Sequence, residues 1–276
     1  MSLLTLVPTP IGALHDVTLH ALEVLRSADV VAAEDTRRSA VLLSAHGIDR
    51  PLVRIDAHTV ASRGPALLAE HARVAYVSDA GTPGISDPGA DLLRLALDAG
   101  HQVEVLPGPT AFVPALILSG LPLARFSFEG FLPRKGSARS RRLRALARRE
   151  HPSAIYEAPG RLAATLADLA DACGTMRLGS VSREISKRYE ETVRGTLGEL
   201  AERFASRKPR GEIVVVVAGH DPSEDEEGVP DADALAAALT AAGVHGRTLR
   251  DALEALGVPR NEAYRAALEA APDQPL

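Results

Sequence analysis

Over the first half of the chain, short apolar runs alternate with helical patterns. Leu3–Pro8, Val30–Glu34, Val74–Asp79 and Val103–Pro107 are rich in β-branched residues and bounded by turn residues, which predicts buried strands. Thr18–Ser27, Arg37–His46, Arg63–His71, Asp91–Ala99 and Ala111–Leu118 carry the amphipathic spacing of helices between them. Such alternation predicts an α/β fold with a largely parallel sheet. Ser119–Pro122 breaks the rhythm, and a second α/β set follows. Its strands are expected near Phe126–Gly130, Ser153–Glu157, Leu178–Arg183, Thr192–Gly195 and Glu212–Ala218, and its helices near Arg139–Arg149, Arg161–Cys173 and Leu197–Ser206. The pattern thus gives two α/β domains, at 1–118 and 119–220. From Asp221 to Asp233 there are seven acidic residues and no basic one, which predicts a solvated linker at 221–231. Residues 232–276 then read as a small helical, helix-turn-helix-like domain: Ala232–Ala242, Thr248–Leu256 and Glu262–Ala271 are separated by Gly243, Gly246 and Gly257-Val258-Pro259.

Composition narrows the classes of function. A chain of 276 residues that is 46% hydrophobic, with net charge −5, is long enough for two cores and excludes global disorder. One cysteine, Cys173, excludes a disulfide framework and a multi-thiolate zinc site, so no metal is expected. The apolar run Ile213–Ala218 is far too short to span a membrane, and the N-terminus lacks the basic flank of a signal peptide, so a cytoplasmic protein is expected. Aromatic residues make up 3% of the chain and Trp is absent, which argues against base-stacking platforms and for recognition through phosphates and shape.

The dinucleotide fingerprint, the P-loop and the zinc-protease motif are absent from the sequence. What stands in their place is a set of Gly/Pro-rich loops at predicted strand C-termini: Thr9–Gly12, Ser78–Gly89 and Pro107–Ala111. In open α/β sheets ligands bind at these ends, where glycine lets the backbone approach and helix N-termini offer free N–H groups. Without a lysine or a glycine nest aimed at a polyphosphate, the ligand expected is uncharged or zwitterionic, although each loop taken singly also fits a plain tight turn. Between Gly130 and Arg149 lie eight basic residues and no acidic one, the cationic run Arg134, Lys135, Arg139, Arg141, Arg142, Arg144, Arg148 and Arg149. Such a patch on an acidic chain suits a polyanion such as RNA; the alternative is a solvated amphipathic helix resting on Leu143 and Leu146. Carboxylates and cations also cluster in Glu34-Asp35-Thr36-Arg37, in 156–161 and in 183–190, where they fit either acid–base chemistry or structural ion pairs.

Taken together, V-P-T-P-I-G at 7–12, A-A-E-D-T-R at 32–37, S-D-A-G-T-P-G-I-S-D-P-G at 78–89, P-G-P-T-A at 107–111, F-E-G-F-L-P-R-K at 128–135, Y-E-A-P-G-R at 156–161, R-E-I-S-K at 183–187 and G-E-I-V-V-V at 211–216 carry a family resemblance. In order and spacing they resemble the tetrapyrrole methylase superfamily, and within it the bacterial cytidine 2′-O-methyltransferases of small-subunit ribosomal RNA. The resemblance implies two α/β domains with S-adenosylmethionine in the cleft between them, a homodimer, and 16S rRNA or the small ribosomal subunit as partner. It implies cofactor contacts from Pro10, from Asp79, Ala80, Gly81, Ile85 and Ser86, and from Thr110 and Ala111. Tyr156, Gly211 and Glu212 are expected to close the other side. For the transfer itself the candidates are Asp35 or Glu34 as proton acceptor, with Lys187 or Arg37 polarising the ribose or a neighbouring phosphate. Arg134, Lys135, Arg139, Arg141, Arg142, Arg144 and Arg161 are expected to hold the RNA backbone. Two other readings stand beside this one: a methylase of a tetrapyrrole precursor, and a non-catalytic, ribosome-associated RNA-binding protein.

Overall fold

The computed structural model describes residues 2–207, 209–221, 232–258 and 260–270. The described residues up to Gly219 form one compact unit, which contains two five-stranded sheets, and those from His220 onward form a second.

The first sheet is built from β1 (Leu3–Leu6), β2 (Val30–Ala33), β3 (Leu52–Arg54), β4 (Arg73–Val77) and β5 (Gln102–Val105), in the order β3-β2-β4-β1-β5. Every pairing in it is parallel. β2 is buried at all four positions, and the continuous apolar run that predicts such a strand is what a sheet covered on both faces requires. One face packs Leu4, Leu6, Tyr76 and Leu92; the other packs Val7, Leu25, Val31 and Val77. β3 escapes the sequence reading because it has three residues, none of them buried, at the sheet edge. Between the strands run α1 (Leu19–Ser27), α2 (Thr36–Ala45), α3 (Val60–Glu70) and α4 (Gly89–Asp98).

α5 (Phe112–Ser119) follows β5 and packs on the second sheet, where Ala115 and Leu116 meet Ala154, Val214 and Val216. That sheet comprises β6 (Ser127–Phe131), β7 (Ser153–Glu157), β8 (Leu178–Arg183), β9 (Glu191–Thr196) and β10 (Ile213–Val217), in the order β6-β7-β10-β8-β9. Only β6 and β7 pair in parallel; β10 runs antiparallel to both its neighbours, and β9 antiparallel to β8. The second sheet is therefore mixed, because β8 and β9 are joined by a loop and not by a crossover helix. On its other face α6 (Gly136–Ala147), α7 (Leu162–Cys173) and α8 (Leu197–Ala205) cover a core that includes Leu162, Leu166, Leu197 and Phe204. α8 opens with a reciprocal capping box in which Thr196 and Glu199 satisfy each other's backbone N–H groups.

The second unit consists of three helices, Ala232–Ala241, Gly246–Ala255 and Arg260–Glu269, around Ala236, Leu249, Leu253 and Ala266. Apart from Asp221, the acidic segment 221–231 lies outside the described residues, as does the end of the tail from residue 271. No helix among the described residues is long and apolar enough to cross a membrane.

Candidate active site

The three Gly/Pro loops of the first sheet interlock. Thr9 and Gly81 exchange both backbone hydrogen bonds at 3.0 Å, and the Thr82 hydroxyl donates to the Pro109 carbonyl at 3.0 Å. Gly81 needs its glycine because its φ of +82° is costly for residues with a side chain. Gly108 is packed so tightly that a Cβ would fall on the Pro8 ring. Asp87 closes the long loop, because its carboxylate accepts from Gly84 N at 3.0 Å and from Gly89 N at 2.8 Å. It thereby sets an anion at the start of α4, where the helix dipole favours it.

Against these loops the second sheet supplies side chains, and together they enclose a cavity of about 410 Å³. From the expected cofactor set, Asp79, Ala80, Gly81, Ile85 and Ser86 line it, as do Thr110, Ala111, Tyr156, Gly211 and Glu212. Pro10 does not; it lies in an adjoining recess of about 90 Å³ that shares Arg38, Ser78 and Asp79 with the main cavity. Burial pushes the Tyr156 hydroxyl above its ordinary value, while hydrogen bonds from the backbone of Phe112 and Ala111 oppose the rise.

The acid–base candidates separate. Asp35 caps α2, accepting from Arg37 N at 2.9 Å, and is clamped by the Arg37 guanidinium at 3.0 and 2.7 Å. These bonds, the side-chain ones first, hold its carboxyl far below the usual carboxylate range. Of the two acid candidates, Glu34 is the one that lines the cavity, and its pKa is raised by burial and then by the negative charges of Asp79 and Asp87. Arg37 points to solvent, with 89% of its side chain exposed. Its neighbour Arg38 lines both cavity and recess and lies 3.4 Å from Asp79. Lys187 does not line the cavity; its ammonium bridges Glu184 and Glu212, each at 3.0 Å. Burial alone would lower the Lys187 pKa, but the two hydrogen bonds outweigh it and raise it. This clasp lies in a strained loop, since Glu184 and Ser186 adopt positive φ of 53° and 64°. The loop is anchored to residues 12–16 through Ser186, which accepts from Ala13 N at 3.2 Å and donates to Asp16.

The basic segment also divides. Arg139 is turned inward: it donates to Asp168 at 2.7 Å, to the Pro133 carbonyl at 3.0 Å and to Thr165 at 3.0 Å. Arg161 pairs with the buried Glu157 at 2.9 Å and donates to the Leu132 carbonyl at 2.9 Å. These two guanidiniums, expected on RNA, are spent on the protein's own carboxylates and carbonyls. Arg142 shares Glu129 with Arg149 and is 48% exposed. Arg134, Lys135, Arg141, Arg144 and Arg148 are exposed. Glu157, the carboxylate of the 156–161 cluster, lines the cavity, and so do Arg38, Asp87 and Phe131, which were not among the candidates. Asp87 and Phe131 sit inside quoted motifs, yet Arg37 and Arg38 could be told apart only by the rotation of α2.

Fold and cavity, with Gly/Pro loops at the C-termini of a parallel sheet facing a mixed one, define a class. The sequence model of the tetrapyrrole (corrin/porphyrin) methylases matches residues 3–201. Similar solved structures include uroporphyrin-III C-methyl transferase from Thermus thermophilus complexed with S-adenyl homocysteine, at TM-score 0.57 and 21% identity over 79% of this chain and 97% of that one. The chain is 41% identical to the ribosomal RNA small subunit methyltransferase I of Synechocystis sp., over 98% of each chain. It is 42% identical to the protein of the same name from Mesorhizobium japonicum, over 96% of this chain and 91% of that one. The chain belongs to the tetrapyrrole methylase family, in the branch formed by these ribosomal RNA small subunit methyltransferase I proteins.

Proposed function

We propose that the chain methylates the 2′-oxygen of a cytidine ribose in the 16S rRNA of the small ribosomal subunit, in the cytoplasm, using S-adenosylmethionine. The observation that carries this reading is the charge of the cavity. Among its lining residues Arg38 is the one cation, against Glu34, Asp79, Asp87, Glu157 and Glu212. S-adenosylmethionine carries a sulfonium and an ammonium against a single carboxylate, so an acidic wall attracts it where a polyphosphate would be repelled. A volume of about 410 Å³ suits a ligand of that size, and Ile11, Ile85, Ala111 and Val214 give it apolar surface. Asp79 and Glu212 would hold its cationic groups and the Gly81 and Thr110 loops its adenosine. When bound, it supplies an activated methyl group.

The chain's own part is alignment, exclusion of water and removal of the hydroxyl proton. Glu34 is the proton acceptor in this reading: it faces the cavity and its raised pKa makes it more basic than Asp35, which is locked to Arg37. Arg38 takes the polarising role first given to Arg37, and Lys187 acts one step back by fixing Glu212. Arg134, Lys135, Arg141 and Arg144, all exposed, meet the RNA phosphates. The homodimer has support in Val113 and Ile117, both exposed and four residues apart on α5.

Purified protein with methyl-labelled S-adenosylmethionine, offered naked 16S rRNA, small ribosomal subunits or uroporphyrinogen, tests the proposal. Nuclease digestion and mass analysis should find label as 2′-O-methylcytidine in an RNA arm. Label on the tetrapyrrole would support the precursor-methylase reading, and RNA binding without S-adenosylmethionine binding by calorimetry would support the non-catalytic one. Sedimentation equilibrium tests the dimer.

A further inference from the structure

Aromatic residues are scarce here, five Phe and four Tyr without Trp, yet Phe112, Phe128, Phe131 and Tyr156 gather at one wall of the cavity. Phe112 stacks on Phe128 at 4.6 Å between centroids, and Phe128 meets Tyr156 edge-on at 4.9 Å. These inner rings are partly buried in the cluster with Leu116 and Val214. Phe131 is different: it touches Tyr156 edge-on at 5.7 Å, lines the cavity, and is 53% exposed.

The backbone puts it there. Phe128 pairs with Ala154 and Phe131 with Tyr156, so β6 carries one more residue than β7 between these pairs, a bulge at which Gly130 adopts φ +60°. Bulges beside active sites re-aim side chains, and this one places Phe131 at the cavity mouth. The residues that follow are pinned: Arg161 holds the Leu132 carbonyl and Arg139 the Pro133 carbonyl, each tied to Glu157 through a direct bond or through Thr165. Next in sequence come two exposed cations, Arg134 and Lys135. A half-exposed aromatic ring beside a reaction cavity, with two exposed cations three and four residues on, is what an unstacked nucleotide requires: a π-face for its base and positive charge for its phosphate.

We propose that Phe131 is the stacking platform for the unstacked nucleobase whose ribose enters the cavity. This rests on the RNA reading above and reverses the expectation, drawn from composition, that stacking plays no part. A small number of aromatics suffices when one of them is held at the cavity mouth.

The absence of Trp makes the test direct, because Phe131→Trp installs a single tryptophan, excited selectively over the four tyrosines. Phe131→Ala and Phe131→Leu should each raise KM for RNA by about 5- to 150-fold, the range expected on removing one base–aromatic stack. Their affinity for S-adenosylmethionine should stay unchanged, and Phe131→Trp should restore KM. Emission of the Phe131→Trp protein should be quenched when an unstructured RNA oligonucleotide binds, with binding followed separately by anisotropy. A KM within twofold of wild type in Phe131→Ala overturns the proposal. So does a matching loss of cofactor affinity, restored function in Phe131→Leu, or unaltered emission with RNA bound. If the wild-type protein methylates no RNA, the functional reading fails, while the emission of the RNA-bound Phe131→Trp protein still decides whether a base stacks there.

Discussion

The two sheets wall the same cavity by different means. The parallel sheet does it with backbone: its loops interlock through main-chain hydrogen bonds, glycines that admit no Cβ, and one carboxylate, Asp87, folded back on two amides. The mixed sheet does it with side chains: Tyr156, with Phe131 edge-on against it, and Glu212, which is paired with Lys187. Backbone walls fit one ligand closely and tolerate little change, whereas side-chain walls resting on ion pairs can present rings and charges to a larger partner. The parallel sheet thus fixes the shape of the cavity, and the mixed sheet adds rings and a charge to its wall.

The largest expected effect falls where the parallel sheet puts a carboxylate into the cavity. Glu34→Gln should lower kcat by about 10²- to 10⁴-fold, the usual contribution of a general base; undiminished turnover in a single-turnover assay would remove Glu34 from this role. The same substitution should raise stability at neutral pH. A carboxyl whose folded pKa is raised favours the native state below its unfolded pKa, and that advantage is lost as pH rises through the folded value. Next comes the frame of the mixed sheet. Glu157→Ala leaves Arg161 and Thr165 facing an empty site beside a fully buried position, at a cost of about 3–5 kcal/mol visible in thermal unfolding, and Glu157→Gln should cost less. A destabilisation below about 1 kcal/mol would show that the ion pairs do not hold this wall.

Smaller effects should tell apart the two kinds of arginine in the basic segment. Reversing Arg134, Lys135 and Arg144 should reduce the slope of log affinity for RNA against log salt by about 0.7 to 0.9 for each phosphate that is no longer neutralised, with thermal stability unchanged. Replacing Arg139 should do the opposite, lowering stability before it touches the salt slope, since its bonds run to Asp168, Thr165 and Pro133. The smallest effect belongs to Glu191 on β9, where hydrogen bonds from Arg207 and then Arg183 hold the carboxyl at about 2. A depressed carboxyl stabilises the fold above its unfolded pKa, so this contribution should fade as pH drops from about 4.5 toward 2 and be missing in Glu191→Gln, as acid unfolding would reveal.

The strands and loops of the parallel sheet were legible because such strands are buried on both faces and read as continuous apolar runs, with Gly and Pro marking the turns. β3 was not, being a three-residue edge strand with no buried position, nor was the antiparallel half of the second sheet, which has the same local pattern whichever way a strand runs. A charge run likewise reads the same whether its arginines face RNA or the protein's own acids. Asp168 reaches Arg139 only once α6 and α7 pack together. Glu157 is close to Arg161 in sequence, but only its burial at the end of β7 turns that guanidinium inward.

The sequence by itself determined the α/β alternation, the positions of the glycine loops and the family, because these depend on local pattern and on spacing along the chain. Tertiary structure alone decided that Glu34 and Arg38 face the cavity while Asp35 and Arg37 satisfy each other, and that Phe131 stands at its mouth. Those outcomes depend on helix rotation, a one-residue bulge and charge partners that packing brings within reach, none of which a linear pattern encodes.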